Sequence, residues 1–406
     1  MWKWVRAWVG ASIAALGVAG CGAVAPQVPA QDDAATIARD KQAFVEALKP
    51  RGPGRPVVAV LALNEGTEMT DLLLPHAVLQ RAGVAEVRIV APRAGRVSLY
   101  PALEVEGAQD MASFDRMHPS GADYVIVPAM RADDDPAVTN WLQQQARQGA
   151  RVIGVCSGAR VVGRAGLLEG RRFAGHWYDR STLLRRHPGA SYVPNRRYVV
   201  DRGVATTTGI TASVPTTLAL VEAIGGRERA QALAAELGVA AWDPVHDSAP
   251  FKLDAGRAWT YVVDKAAFWR DERWRVEVQG GSDDIALALA VDAWTRTGRV
   301  SVEAASASGP VRLKSGLLLV AQPAAGGSRR VPLSPALKPA QQLDLTLCEI
   351  AQRYGAVRRE RVMQEMEYPR PESACERATP KASAPAAEDR AGSAHRVAPS
   401  AMAPAQ

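Results

Sequence analysis

The sequence predicts an α/β protein, with a parallel sheet carrying helices on both faces and a shortened second α/β unit after it. Three observations point there. From Pro56 onward, apolar runs alternate with stretches of helical period. The runs are apolar at every position, as in strands covered on both sides. One run, Arg151-Val152-Ile153, leads into Gly154-Val155-Cys156-Ser157-Gly158, a Gly-flanked turn before a helix-like stretch from Ala159 to Leu168.

The elements follow in order. Met1 to Arg6 carries Lys3 and Arg6, Ala7 to Ala19 is apolar, and Val18-Ala19-Gly20-Cys21 follows. A charged start, a short apolar stretch and small terminal residues make a signal peptide. Its last four residues look like a bacterial lipobox, in which Cys21 is lipidated; an ordinary signal peptide with an incidental cysteine is the alternative. Lipidation at Cys21 would tether the protein to a membrane surface, so the expected location is the cell envelope, on the periplasmic face of a membrane, the outer one. Residues 22–53 are rich in Ala, Pro and Gln and read as a linker.

The main domain is expected over residues 54–250. Val57 to Leu63 reads as a buried strand, Asp71 to Ala82 as a helix ended by Gly83, and Val87 to Val90 as a strand. Tyr124 to Val127 is another strand, Ala137 to Gln148 a helix, and Val152-Ile153 the strand of the turn. Thr217 to Ile224 and Arg229 to Leu237 read as helices, the second ended by Gly238.

Residues 251–369 read as a shortened copy of the first unit, with chance similarity between two α/β units as the alternative. Arg275 to Val278 reads as a strand, Ile285 to Thr297 as a helix and Val300 to Val302 as a strand. Leu345 to Tyr354 with Val357 to Met366 repeats the earlier helix pair, but between Ala321 and Pro339 there is no elbow and no cysteine. The tail, 370–406, is Pro, Ala, Ser and charge, and is expected to be disordered. Of four cysteines, Cys348 and Cys375 are left for a disulfide in an oxidising compartment; a buried free thiol at Cys348 is the alternative.

The chain has 406 residues, 47% hydrophobic and 22% charged, with a formal charge of +7 from dispersed arginine. Without a Lys/Arg run interleaved with aromatics, this is a solvated surface, and no nucleic-acid partner is expected.

The chemistry centres on Cys156. At a helix N-terminus its thiol is expected to favour thiolate. Asp71 follows the first strand and can approach from a neighbouring one; a helix cap or first-turn acid is its other reading. Beside a thiolate it would keep its proton and act as an acid. His176, 20 residues beyond the cysteine, is a candidate base or a histidine packed on Trp177. The other histidines have no metal spacing, so no metal and no cofactor is expected.

These residues resemble the DJ-1/PfpI family, within the class I glutamine amidotransferase-like superfamily. The resemblance rests on Gly154 to Gly158, on Ala165-Gly166-Leu167-Leu168-Glu169-Gly170, on His176-Trp177, on Asp71 with Pro75, and on Thr208-Gly209-Ile210-Thr211-Ala212. It covers about residues 56 to 250 and implies a flavodoxin-like sheet. It also implies Cys156 as nucleophile with Asp71 as its acid/base partner, as in isocyanide hydratases, and a site turn at Ser157, Gly158 and Ala129.

Three departures stand out. Ser157 replaces the histidine of the peptidase branch, His176-Trp177-Tyr178 lacks the glutamate of true amidotransferases, and Pro128-Ala129-Met130 replaces Pro-Gly-Gly. The expected function is hydration or hydrolysis of a small electrophile. A non-catalytic ligand or redox sensor is the alternative, and a structural scaffold the third reading. A small-molecule substrate or ligand is the expected partner, with a homodimer or dimer-like internal pairing.

Overall fold

The computed structural model describes residues 33–252, 272–323 and 329–369. The leader with Cys21, the tail beyond Pro369 and Cys375 lie outside these residues.

Six parallel strands form the centre of the main sheet, in the order Val204–Thr207, Arg151–Gly154, Tyr124–Val127, Val57–Leu61, Glu86–Ala91 and Glu104–Asp110. Tyr198–Asp201 closes one edge antiparallel. Val58 to Leu61 and Tyr124 to Val127 are buried at every position, as their unbroken apolar runs require.

The helix Met69–Ala82 starts two residues earlier than expected, because Glu68 caps it and its side chain accepts from the Asp71 N–H. It ends at Gly83, in the left-handed conformation that glycine adopts without a Cβ penalty.

The expected linker needs correcting. Within it, Ala34–Ala47 is a helix, capped by Asp33 and burying Phe44 and Val45. Phe44 packs on Tyr198 at 4.3 Å between ring centroids, and the Tyr124 hydroxyl donates to the Leu48 carbonyl at 2.6 Å. Alanine-rich sequence suits a helix as well as a linker, and the spaced apolar residues decide it.

The second unit is a strand–helix–strand, Glu272–Glu277, Asp284–Arg296 and Val300–Ser306, with its strands parallel. The helices Gln342–Tyr354 and Ala356–Glu365 are joined at Gly355, φ 85 and ψ 165. The first unit's pair, Ser213–Gly225 and Arg227–Leu237, is joined at Gly226 with φ 86 and ψ 164. Such a φ explains a glycine at both joints.

The two units share one core, in which Leu72 and Val78 belong with Ile285 and Trp294. The main sheet also continues into the second unit, where Leu318–Leu319 pairs antiparallel with Glu104–Asp110. Helices Met69–Ala82 and Asp284–Arg296 pack side by side and antiparallel, so the end of each lies by the start of the other. Arg81 reaches Asp283 at 2.8 Å and Asp284 at 3.2 Å; Arg296 reaches Glu68 at 2.9 Å. Each last-turn cation thus meets an acid at the start of the other helix, which satisfies both dipoles.

Cys348 is disulfide-bonded, which removes the free-thiol reading.

Candidate active site

The strand Arg151–Gly154 delivers Cys156 at the carboxyl end of the sheet, where α/β sites form. Cys156 has φ 53, a conformation that costs a side-chain-bearing residue about 1–3 kcal/mol. Its N–H donates to Thr207 Oγ1 at 3.0 Å, and that hydroxyl donates to the Thr208 carbonyl at 2.9 Å. Gly158 is obligatory: a Cβ there would lie 1.9 Å from the Val127 carbonyl oxygen. The Ser157 hydroxyl donates to Asp179 Oδ2.

The expectation of a thiolate fails on the local geometry. The following helix is only Gly158–Arg164, seven residues, so its dipole is small. The cysteine is buried. Burial pushes the thiol well above its ordinary range, and the surrounding carboxyl groups of Asp71, Glu68, Glu367 and Asp179 disfavour a thiolate further.

Asp71 sits in the first turn of Met69–Ala82, fully buried. Its Oδ2 accepts from the Ala129 N–H at 3.1 Å, while Oδ1 is buried without a partner. Burial, then the charge of Glu68, holds its carboxyl well above the usual carboxylate range. The raised carboxyl favours the neutral form of Asp71, and its Oδ1 has no hydrogen-bond partner. The Ala129 amide is occupied by Asp71, and its carbonyl accepts from the Glu68 N–H at 2.8 Å.

Glu68 and Arg296 complete this cluster, and sequence reasoning missed both. Glu68 Oε2 accepts from the Asp71 N–H and the Thr70 hydroxyl, each at 2.7 Å, and Oε1 accepts from Arg296 at 2.9 Å. Burial first, then Asp292, pushes Glu68 up to about 7 against the pull of Arg296. Arg296 also pairs with Asp292 at 2.8 Å. Glutamate is not among the favoured capping residues, and Arg296 lies 228 positions away, so neither left a local signal. Tyr100 faces the same cluster: burial raises its phenol, with Glu68, Asp71 and Cys156 adding to the rise.

Both ring nitrogens of His176 are engaged by backbone groups. Its Nδ1 accepts from the Tyr178 N–H at 3.4 Å, which leaves Nε2 to donate to the Glu365 carbonyl at 3.1 Å. Its ring lies 5.5 Å from Trp177. The geometry thus favours the packed-histidine alternative over the candidate base.

Glu367, from the second unit, enters the same region. Its carboxylate accepts from the Trp177 N–H at 3.0 Å and from the Gly209 N–H.

Cys156, Asp71, Ala129, Ser157 and Gly158 therefore converge, whereas His176 makes no hydrogen bond to the cysteine. A shallow groove of about 430 Å³, lined by Arg51, Arg147, Arg171 and Arg202, lies instead by the amino ends of the strands.

Fold and site define an α/β protein with a buried cysteine at a strand-to-helix elbow beside a buried carboxyl. The DJ-1/PfpI family model matches residues 57–223. An "Uncharacterized protein in cpoL 5'region" of Streptomyces lividans is 32% identical over 149 residues, 34% of this chain and 97% of that protein. The chain belongs to the DJ-1/PfpI family.

"Isonitrile hydratase" of Pseudomonas putida is 32% identical over 134 residues, and the match spans 33% of this chain and 55% of that protein. The "HTH-type transcriptional regulator GbdR" of Pseudomonas aeruginosa is 36% identical over 93 residues, 23% of this chain and 25% of the regulator. The chain thus spans about half of the hydratase and a quarter of the regulator. A THiJ/PfpI family protein from Pseudomonas syringae superposes with a TM-score of 0.44 at 23% identity, covering 54% of this chain and 89% of that one.

Proposed function

We propose that Cys156 is the nucleophile of a hydratase acting on a small electrophile of the isonitrile type. One observation carries the reading: a buried Asp71, its Oδ1 without a partner and its carboxyl held well above the usual range, beside a cysteine in a strained elbow. The similarity to an isonitrile hydratase supports it.

An isonitrile carbon accepts both a nucleophile and a proton. The Cys156 Sγ–C bond forms as Asp71 Oδ1–H protonates that carbon, and the thiol proton restores Asp71. Water then adds across the C=N bond of the thioimidate. The C–S bond breaks, the thiol recovers its proton, and an N-substituted formamide leaves. The net change is addition of one water. The Ser157 amide lies next to the nucleophile as an oxyanion donor. The raised thiol suits this scheme, because sulfur and carboxyl exchange one proton instead of sharing a negative charge.

The test is formamide production from small alkyl isonitriles by wild type, Cys156→Ser and Asp71→Asn. Turnover in wild type that both substitutions abolish supports the reading; formamide no faster than in Cys156→Ser overturns it.

A second reading, a ligand or redox sensor, is favoured by the burial of Cys156, which slows general thiol chemistry. Ligand binding retained in Asp71→Asn, without turnover in wild type, would mark it. Export and lipidation at Cys21, with an envelope location, belong to the same proposal and rest on the Met1–Cys21 pattern. Among the described residues no helix is long and apolar enough to cross a membrane.

A further inference from the structure

Glu367 is the outlier of the second unit. It follows the helix Ala356–Glu365 and has φ 50, a left-handed conformation that disfavours any residue with a Cβ. The residue is buried, and so carries a desolvation cost as well. Two backbone amides from separate loops receive its carboxylate: Trp177 N–H at Oε1, 3.0 Å, and Gly209 N–H at Oε2. Gly209 lies two residues after Thr207, whose hydroxyl holds the Cys156 amide. The Glu367 charge is close enough to Cys156 to raise the thiol.

The carboxylate is not needed to hold its own segment. The Glu367 carbonyl accepts from Thr211 Oγ1 at 2.7 Å, the Trp177 indole donates to the Gln364 carbonyl at 2.9 Å, and His176 donates to the Glu365 carbonyl at 3.1 Å. These bonds all use backbone oxygens of the segment and would survive loss of the side chain. What the carboxylate does is fill two amide donors near Cys156, where its charge opposes thiolate formation. Asp71 Oδ1 is also buried without a hydrogen-bond partner.

We propose that the Trp177 and Gly209 amides form a carboxylate-binding subsite beside Cys156, and that Glu367 occupies it when no ligand is bound. The ligand is then a small electrophile carrying a carboxylate. Its carboxylate replaces that of Glu367 on the two amides, and its electrophilic carbon faces Sγ and Asp71. The backbone ties of the segment remain when the Glu367 side chain leaves the two amides. Because the blocking residue comes from the second unit, that unit sets access to the first unit's site. This rests on the reading of Cys156 as a ligand-facing nucleophile, and it narrows the electrophile to an anionic one.

The test compares two thiol reagents of similar size and opposite demand: iodoacetate, which carries a carboxylate, and iodoacetamide, which does not. Rates at Cys156 are read by mass spectrometry of its peptide from the full chain, in wild type, Glu367→Ala and Glu367→Gln. The expected result is a rise of about tenfold in the iodoacetate-to-iodoacetamide rate ratio on Glu367→Ala, as a charged acceptor gains two free donors. Glu367→Gln keeps the side-chain volume but loses one acceptor, and should give a smaller rise. Millimolar acetate should slow iodoacetamide labelling of Glu367→Ala and leave wild type unchanged.

A residue that only ties the units together predicts otherwise: both reagents faster by the same factor, with no acetate protection. That outcome overturns the proposal, as does a thiol that stays unreactive in both variants. Isonitriles do not enter this assay. Failure of isonitrile turnover with a changed ratio would remove only the hydratase reading; an unchanged ratio with intact turnover would remove only the subsite.

Discussion

Replacing Arg296 with methionine would test whether the second unit holds the site's charges in balance. Arg296 is the cation between Glu68 at 2.9 Å, Asp292 at 2.8 Å and Glu365 at 3.7 Å. The Asp292 side chain is fully buried and that of Glu68 is 4% exposed. Asp292 Oδ1 already lacks a partner, so its charge rests on Arg296 alone. Removing one partner of a buried pair costs about 3–5 kcal/mol, because the remaining charge is stranded in low dielectric. Methionine keeps most of the volume, so little of that cost is cavity.

The cost should depend on pH. Without the cation, Glu68 and Asp292 titrate higher in the folded chain than in the unfolded one. Protonation then favours folding at low pH and is lost as pH rises through the folded values. Each proton so linked is worth about 1.4 kcal/mol per pH unit. Urea unfolding followed by tryptophan fluorescence at pH 5 and pH 8 measures both numbers. The expected loss is about 3–5 kcal/mol at pH 8 and at least about 2 kcal/mol less at pH 5. A loss below about 1 kcal/mol at pH 8, or the same loss at both pH values, would refute the reasoning.

Other outcomes follow from the same geometry. Gly158→Ala places a Cβ 1.9 Å from the Val127 oxygen, a backbone atom that cannot step aside; it should cost about 3 kcal/mol or more, read as a large fall in Tm. Alkylation of Cys156 in the folded chain should have its midpoint above 9, the ordinary thiol value, since burial favours the neutral form; a midpoint below 8 would contradict this. Glu68 is raised from 4.5 to about 7, so its contribution to stability is full below the lower value and lost as pH rises through the upper one. Glu68→Gln should flatten that decline by up to about 3 kcal/mol, seen in urea midpoints across pH 4 to 8. Arg81→Met should cost less than Arg296→Met, because Asp284 keeps the Ser315 amide and hydroxyl as donors and Asp283 is partly exposed.

The sheet was legible because its signal is local. Strands such as Tyr124–Val127 are apolar throughout, and the turn around Cys156 announces itself by Gly154 and Gly158. Asp71 was reachable too, from its place after the first strand. What the sequence hid was what depends on distance along the chain. Arg296 meets Glu68, and Glu367 meets Gly209, only after the second unit folds onto the first. The thiol's state was misjudged for a related reason: a helix start is visible in sequence, but the depth of burial and the four acids around Cys156 are not. The helix Ala34–Ala47 was hidden by composition, since alanine serves both linker and helix.

The reciprocal contacts of Arg81 and Arg296 have the form of a two-fold pair, yet both halves lie on one chain. In a symmetric pair of chains every substitution appears twice, so a change that suits one half must also suit the other. Here each position is altered once. Asp292 and Glu365 can be tuned around Arg296 without disturbing Arg81, and one half can keep an elbow cysteine that the other lacks. Covalent linkage also frees the pairing from mass action: dilution cannot separate the halves, so the site should stay assembled at any protein concentration.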